Sequence, residues 1–173
     1  MADILVGVSE VKITPPVGTP LLGPVLPSTG VHDDLFARAL VLSDGRQRVA
    51  IICLDLIGMD FTFADELRAE VQRQTGITVT LLNCSHTHSA PFTIPWSVLG
   101  WSWFQEEGQE WRRELIAKIG SVVYEAATHL CRAVLRVGRT SVQVGLNRRM
   151  PTEHGVVMQP NPQGVVVPWS ELR

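Results

Sequence analysis

The part of the chain that most constrains its fold is the apolar run Val49–Leu56, with the sequence VAIICLDL. A run this short and this apolar is typical of a strand at the centre of a sheet, covered on both faces. It follows Asp44-Gly45, a dipeptide that favours a tight hairpin when β-rich runs flank it. We therefore expect a sheet in which Val49–Leu56 pairs with the strand that precedes the turn.

An amphipathic helix and a further strand follow this run. Apolar side chains recur every four positions between residues 62 and 75, at Phe63, Leu67 and Val71. Gly76 is placed to end that helix. The next run, ITVTLLNC, has β character, so strand, helix and strand predict a right-handed crossover between parallel strands.

The rest of the chain supplies fewer elements. We expect a first strand over residues 5–13, a long loop rich in Pro and Gly over 14–30, a second helix over 109–134 and a strand over 140–147. Residues 150–173 have the composition of a loop. The predicted fold class is α/β, a mixed and largely parallel sheet with a β-hairpin and covering helices. All 173 residues are expected to form one domain.

Composition narrows the classes of function. Hydrophobic residues make up 45% and charged residues 18%, which predicts a folded domain. A formal net charge of -2 with scattered Lys and Arg argues against a nucleic-acid partner. The three cysteines, Cys53, Cys84 and Cys131, lie in apolar segments and favour reduced core thiols. The sequence shows neither a signal peptide nor a membrane-spanning run, so we expect a cytoplasmic location.

The strongest candidate for chemistry is the segment TLLNCSHTHSAP, residues 80–91. In an extended backbone, residues two apart point the same way, so His86 and His88 would share one face with Cys84. Two neutral imidazoles at the carboxyl end of a parallel strand can bind one Zn²⁺. The alternative is that the two side chains only satisfy hydrogen bonds of a loop.

Other candidate ligands come before strands or after them. His32, followed by Asp33 and Asp34, precedes the first strand of the hairpin, and Asp55 ends the apolar run. A carboxylate at that position must be paired, hydrogen-bonded or on a metal. For Asp55 a capping role competes with a ligand role, and His32 is equally well read as a loop histidine.

Further polar and aromatic residues have two interpretations each. Arg148 and Arg149 suit a carboxylate or phosphate group, or are surface arginines. His129 on the second helix favours a structural role, and His154 in a polar turn is expected to be exposed. The tryptophans either anchor a loop in the core or line an acyl-chain groove or a peripheral membrane contact; they are Trp96, Trp101, Trp103 and Trp111.

Five segments, in order, resemble the N-terminal catalytic domain of the neutral/alkaline non-lysosomal ceramidases. They are VGVSEVKITPPVGTPLLG, GVHDDLFARALVL, IICLDLIGM, LLNCSHTHSAP and GLNRRMP followed by PNP. The most specific is SHTHSAP, which is close to the family's Thr-His-Thr-His-Ser-Gly-Pro. The resemblance covers nearly the whole chain.

The resemblance implies a zinc-dependent amidase that hydrolyses the N-acyl bond of ceramide to sphingosine and a fatty acid. By that likeness His86 matches a zinc ligand, His88 lies beside it as a further ligand or proton carrier, and Arg148 matches an arginine near the substrate. The family's other ligands, a later His, a Glu and a Tyr, would come from sequence beyond Arg173. The chain is therefore expected to be part of a larger catalytic domain.

Two alternatives to the zinc hydrolase stay open. One is a non-catalytic or incomplete ceramidase-like binding module that lacks the full ligand set, so whether the chain acts as an enzyme is undecided. The other is a self-contained metal site built from His86, His88 and either His32 or Asp55. The partners expected are a lipid or other N-acyl amide substrate and, through an unfinished sheet edge, a second copy of the chain.

Overall fold

The computed structural model describes residues 4–21, 27–91, 93–94, 108–142 and 149–158. The chain divides into two compact units, residues 1–135 and 136–173. The expectation of one domain over the whole chain stays a prediction. The first unit holds the main sheet and both helices, and the second unit holds a hairpin.

The elements follow the order expected from the sequence over most of the first unit. They are β1 (Ile4–Lys12), β2 (Phe36–Ser43), β3 (Arg48–Leu54), α1 (Phe61–Thr75), β4 (Val79–Cys84), α2 (Gln109–Thr128) and β5 (Cys131–Ala133). The second unit contains β6 (Arg149–Thr152) and β7 (Gly155–Met158).

The main sheet has the strand order β4-β3-β2-β1-β5 and is mixed, which confirms the α/β class. Among the described strands, parallel pairing is confined to β3 and β4, which α1 joins as the predicted crossover. The pairs β1·β2, β2·β3 and β1·β5 are antiparallel. The sheet is α/β and mixed as expected, but it is mostly antiparallel and not largely parallel. Three of its four described strand pairs are antiparallel, and α1 is the one crossover helix among the described elements.

Both helices pack against one face of this sheet. The core contains Val41, Ile52 and Leu54 from the strands, Phe63 and Leu67 from α1, and several apolar residues of α2. Among the described residues, no element covers the opposite face, where Val8 is 70% and Leu81 55% exposed. The prediction that β3 is covered on both faces was wrong, since a predominantly antiparallel sheet can keep one face open.

The hairpin between β2 and β3 forms at Asp44-Gly45 as predicted. Gly45 has a φ of 86°, a left-handed conformation that glycine adopts without strain. The Asp44 carboxylate accepts hydrogen bonds from the backbone N–H groups of Arg46 and Gln47, each at 2.8 Å. These two bonds lower the pKa of Asp44, because they favour its ionised form.

The two helices are confirmed, with one boundary corrected. The Asp60 side chain caps α1 by accepting a hydrogen bond from the Phe63 N–H, and Gly76 ends the helix with a φ of 71°. α2 ends at Thr128, not near Val134. Residues after the helix instead add β5 to the edge of β1, with Val6 opposite Cys131. Apolar spacing alone does not separate these residues from the helix.

The second unit corrects another expectation from the sequence. Residues 150–158, expected to be loop, lie in the antiparallel hairpin of β6 and β7, which has a turn before Gly155. Residues 140–142 lie outside regular structure, and the rest of the strand expected over 140–147 falls outside the described residues. Of the helices that the structure describes, none combines the length and apolarity needed to cross a membrane.

Candidate metal centre

The His-x-His segment leaves the sheet where β3 and β4 both end. The parallel ladder continues beyond the two strands: Ser85 N–H donates to the Leu54 carbonyl at 2.9 Å, and His86 N–H donates to the Leu56 carbonyl at 3.1 Å. His86 is thus tied by its backbone to the loop that follows β3. The prediction that the histidines follow the carboxyl end of a parallel strand is confirmed.

His86 adopts a left-handed backbone conformation, with a φ of 61°. Among the described residues, His86 is the one non-glycine residue with a positive φ. Such a conformation costs on the order of 1–3 kcal/mol. The His86 ring is held as well, since its Nδ1 lies 2.7 Å from the Ile57 carbonyl oxygen. Because a carbonyl can only accept, Nδ1 carries the proton, and the lone pair of Nε2 is left for a ligand.

His88 lies beside His86. The centres of the two rings are 5.1 Å apart, and the ring planes meet at 78°. Two imidazoles bound to one tetrahedral zinc at about 2.1 Å place their ring centres about 5 Å apart. Both side chains are exposed, and no described residue hydrogen-bonds the His88 ring. The spacing of the ring centres therefore matches the spacing of two imidazoles on one zinc ion.

The proximity of the two rings was expected, but its cause differs from the sequence argument. Strand alternation was expected to align Cys84, His86 and His88 on one face. β4 ends at Cys84, whose side chain packs against the core, and burial raises the pKa of its thiol to about 11. Cys84 therefore does not share the histidine face, and the turn at His86 brings the rings together.

The loop after the histidines is anchored at several points. Ala90 is fully buried, and Pro91 forms an antiparallel bridge with Leu21. Further on, the hydroxyl of the buried Thr93 donates to the Gly58 carbonyl at 2.7 Å. Sequence reasoning missed Ile57 and Thr93, since no residue pattern marks a backbone carbonyl or its neighbour as part of a site.

A cleft of about 480 Å³ borders the His-x-His segment. Its lining comes from two loops and includes Val31, His32, Asp33, Leu35, Thr87 and Ser89. The His32 ring is 97% exposed, and its Nδ1 lies 2.7 Å from an Asp33 carboxylate oxygen. His32 therefore belongs to the same cleft as the segment that carries the histidine pair.

Asp55 has a structural explanation. Its Oδ2 accepts hydrogen bonds from the Phe36 N–H and from Arg38 Nη1, both at 3.0 Å. Asp55 therefore has the capping role at the end of the strand, which the sequence left open beside a role as a metal ligand. Within the described ranges, no group of three or more His, Cys, Asp or Glu side chains is placed to hold a metal. The self-contained site with His32 or Asp55 is therefore not formed by these residues.

The remaining candidates are distributed as follows. His129 caps the end of α2, where its Nδ1 lies 2.9 Å from the Glu125 carbonyl, and His154 is exposed in the turn before β7. Arg149 begins β6 and is exposed, whereas Arg148 lies outside the described residues.

Of the four clustered tryptophans, Trp111 is buried in the core on α2. The other three tryptophans of the cluster, at positions 96, 101 and 103, also lie outside the described residues.

Solved structures of ceramidases share this fold. Neutral ceramidase from Pseudomonas aeruginosa matches with a TM-score of 0.62 at 20% identity, over 76% of this chain and 22% of that one. A ceramidase complexed with C2 matches with a TM-score of 0.62 at 19% identity, over the same shares of the two chains. No protein-family model matches the sequence, and no curated protein matches it.

The fold of this chain is therefore ceramidase-like, a mixed α/β sheet that corresponds to a fragment of a ceramidase domain. The chain spans 22% of the length of each matched ceramidase. At 20% identity the likeness concerns the fold.

Proposed function

We propose that this chain forms the zinc-binding edge of a ceramidase-like hydrolase of N-acyl amide bonds. The reaction would convert N-acylsphingosine and water to sphingosine and a fatty acid. The observation that carries the proposal is the His86–His88 pair, with rings 5.1 Å apart beyond the ends of two parallel strands. The fold likeness to neutral ceramidase supports the choice of substrate class.

Each residue of the proposed site has a distinct task. His86 would bind the ion through Nε2, because its Nδ1 proton is committed to the Ile57 carbonyl. His88 would either complete the coordination from the neighbouring position or transfer a proton in the reaction. A bound zinc ion polarises an amide carbonyl and lowers the pKa of a water ligand to about 7.

The substrate would lie in the adjoining cleft. Val31 and Leu35 offer apolar surface there, and the hydroxyl groups of Thr87 and Ser89 offer hydrogen bonds close to the histidines. Arg148 is proposed to bind a polar group of the substrate, as the family resemblance implies.

The two tasks proposed for His88 are separable by substitution. Our expectation is that His88→Ala weakens zinc binding, because one of the two imidazole donors is lost. Isothermal titration of the metal-free chain with Zn²⁺ measures the affinity. An unchanged affinity would remove His88 from the coordination shell and leave proton transfer as its task.

A non-catalytic ceramidase-like module is the second candidate function. It is favoured by the finding that the described residues provide two imidazoles and no third metal ligand beside them. Hydrolysis of a fluorogenic ceramide, followed at increasing zinc concentration, separates the candidates. Zinc-dependent product formation that disappears in His86→Ala supports the hydrolase, and no turnover at any zinc concentration supports the module.

A further inference from the structure

Thr93 is a fully buried residue whose hydroxyl lies 2.7 Å from the Gly58 carbonyl oxygen. It follows the His-x-His loop, whereas Gly58 lies in the loop after β3. We propose that Thr93 is a positioning residue for the candidate metal centre, and this inference rests on the proposed function. Through Gly58, Thr93 holds the Ile57 carbonyl that sets the orientation and tautomer of His86.

The pivot between the two carbonyls is the α-carbon of Gly58. Ile57 and Gly58 contribute successive carbonyls: the first accepts from the His86 ring and the second accepts from Thr93. A glycine restricts rotation between neighbouring peptide planes less than any other residue does. The bond from Thr93 fixes the second peptide plane, so rotation at Gly58 is the freedom that remains to the first plane.

The absence of a side chain at Gly58 also allows the Thr93 segment to approach. A β-carbon on Gly58 would lie 2.5 Å from Cδ1 of Ile94. Glycine at this position therefore leaves room for the Ile94 side chain, beside the carbonyl that accepts from Thr93.

The tautomer of His86 is the property that this arrangement controls. With the Ile57 carbonyl in place, the proton stays on Nδ1 and Nε2 keeps its lone pair. If that carbonyl turns away, the ring loses its acceptor and exchanges between both tautomers. Groups that orient a metal-binding histidine in this way typically change metal affinity by about 10–100-fold.

Tautomer populations in the metal-free chain test the positioning role directly. Long-range ¹H–¹⁵N spectra of the imidazoles distinguish the protonated nitrogen from the unprotonated one. We expect the Nδ1–H form of His86 in the wild type and in Thr93→Ser, and a mixture in Thr93→Val, which keeps the shape but loses the hydroxyl. Thr75→Val is the matched control, because Thr75 donates to the Val71 carbonyl at the far end of α1.

Zinc titrations of the same variants provide the second measurement. The affinity of Thr93→Val should fall at least about tenfold, and that of Thr93→Ser and Thr75→Val should stay close to wild type. A purely structural role would lower the melting temperature of Thr93→Val and leave the tautomer of His86 unchanged. That result would overturn the inference.

The two proposals can fail separately. If zinc binds to no variant but Thr93→Val still mixes the tautomers, the positioning role stands and the proposed function fails. If zinc binds equally to wild type and Thr93→Val with the same tautomer, the positioning role fails and the function stands. Should Thr93→Val not fold, Thr93→Ala removes the same hydroxyl with a smaller side chain, and it is expected to mix the tautomers too.

Discussion

Gly7 on β1 lies against the backbone of Ala126 on α2, so closely that a β-carbon at position 7 would overlap the Ala126 carbonyl oxygen. α2 therefore rests directly on the sheet at this point. Because the contact is with backbone, no side-chain movement relieves the overlap. Gly7→Ala should lower the free energy of unfolding by about 3 kcal/mol, as overpacking of a core does.

Urea denaturation at neutral pH measures this loss. Gly30→Ala is the matched control, because a β-carbon at Gly30 would have nothing within 4 Å. Equal stability of the two variants would contradict the close approach of β1 and α2.

Glu70 is expected to contribute to stability in acid. This carboxylate accepts hydrogen bonds from Arg73 at 2.6 and 2.8 Å, and these bonds lower its pKa from 4.5 to about 2. A lowered pKa in the folded state contributes stability above pH 4.5, and that contribution is lost as the pH falls toward 2. Glu70→Gln should therefore flatten the decline of the melting temperature across this range. Glu114→Gln, an exposed carboxylate on α2, is the control and should retain the decline.

The three cysteines are expected to differ in reactivity. All are free, but Cys53 and Cys131 are exposed, whereas burial raises the pKa of Cys84 from 9.0 to about 11. At pH 8 iodoacetamide should modify Cys84 at least about tenfold more slowly than Cys53, since the thiolate is the reactive form. Mass spectrometry of the digested chain follows each site. Equal rates would place Cys84 outside the core.

The open face of the sheet should favour self-association. Leu81 on the edge strand β4 is 55% exposed and lies beside Ile51 on that face. Exposed apolar strands at a sheet edge promote pairing with other chains. Leu81→Lys should shift the sedimentation profile toward monomer. Phe61→Lys, at a 90% exposed site at the start of α1, should have a smaller effect.

Local sequence signals predicted much of the first unit. The turn at Asp44-Gly45 and the end of α1 at Gly76 each need a residue in the left-handed conformation, which glycine adopts without strain. Both features therefore follow from residue chemistry. The extent of antiparallel pairing did not follow, because β1 and β2 are separated by a long loop whose path is set by tertiary contacts. For the same reason the sequence pattern does not distinguish the short β5 from the end of a helix.

The candidate site was predictable in its residues but not in its geometry. Spacing identified His86 and His88, whereas the left-handed turn at His86 and the carbonyl of Ile57 depend on how two loops meet. A backbone acceptor leaves no mark in a sequence. The role of Asp55 likewise depends on its hydrogen bonds to Phe36 and Arg38, which no residue pattern marks.

Zinc content is the measurement that tests the central claim most directly. The chain is dialysed to equilibrium against buffer that contains Zn²⁺, and elemental analysis gives the metal bound per protein in excess of the free metal in that buffer. We expect about one zinc per wild-type chain, almost none in His86→Ala, and the wild-type content in His154→Ala, which alters an exposed histidine of the second unit. Retention of zinc by His86→Ala would contradict the account.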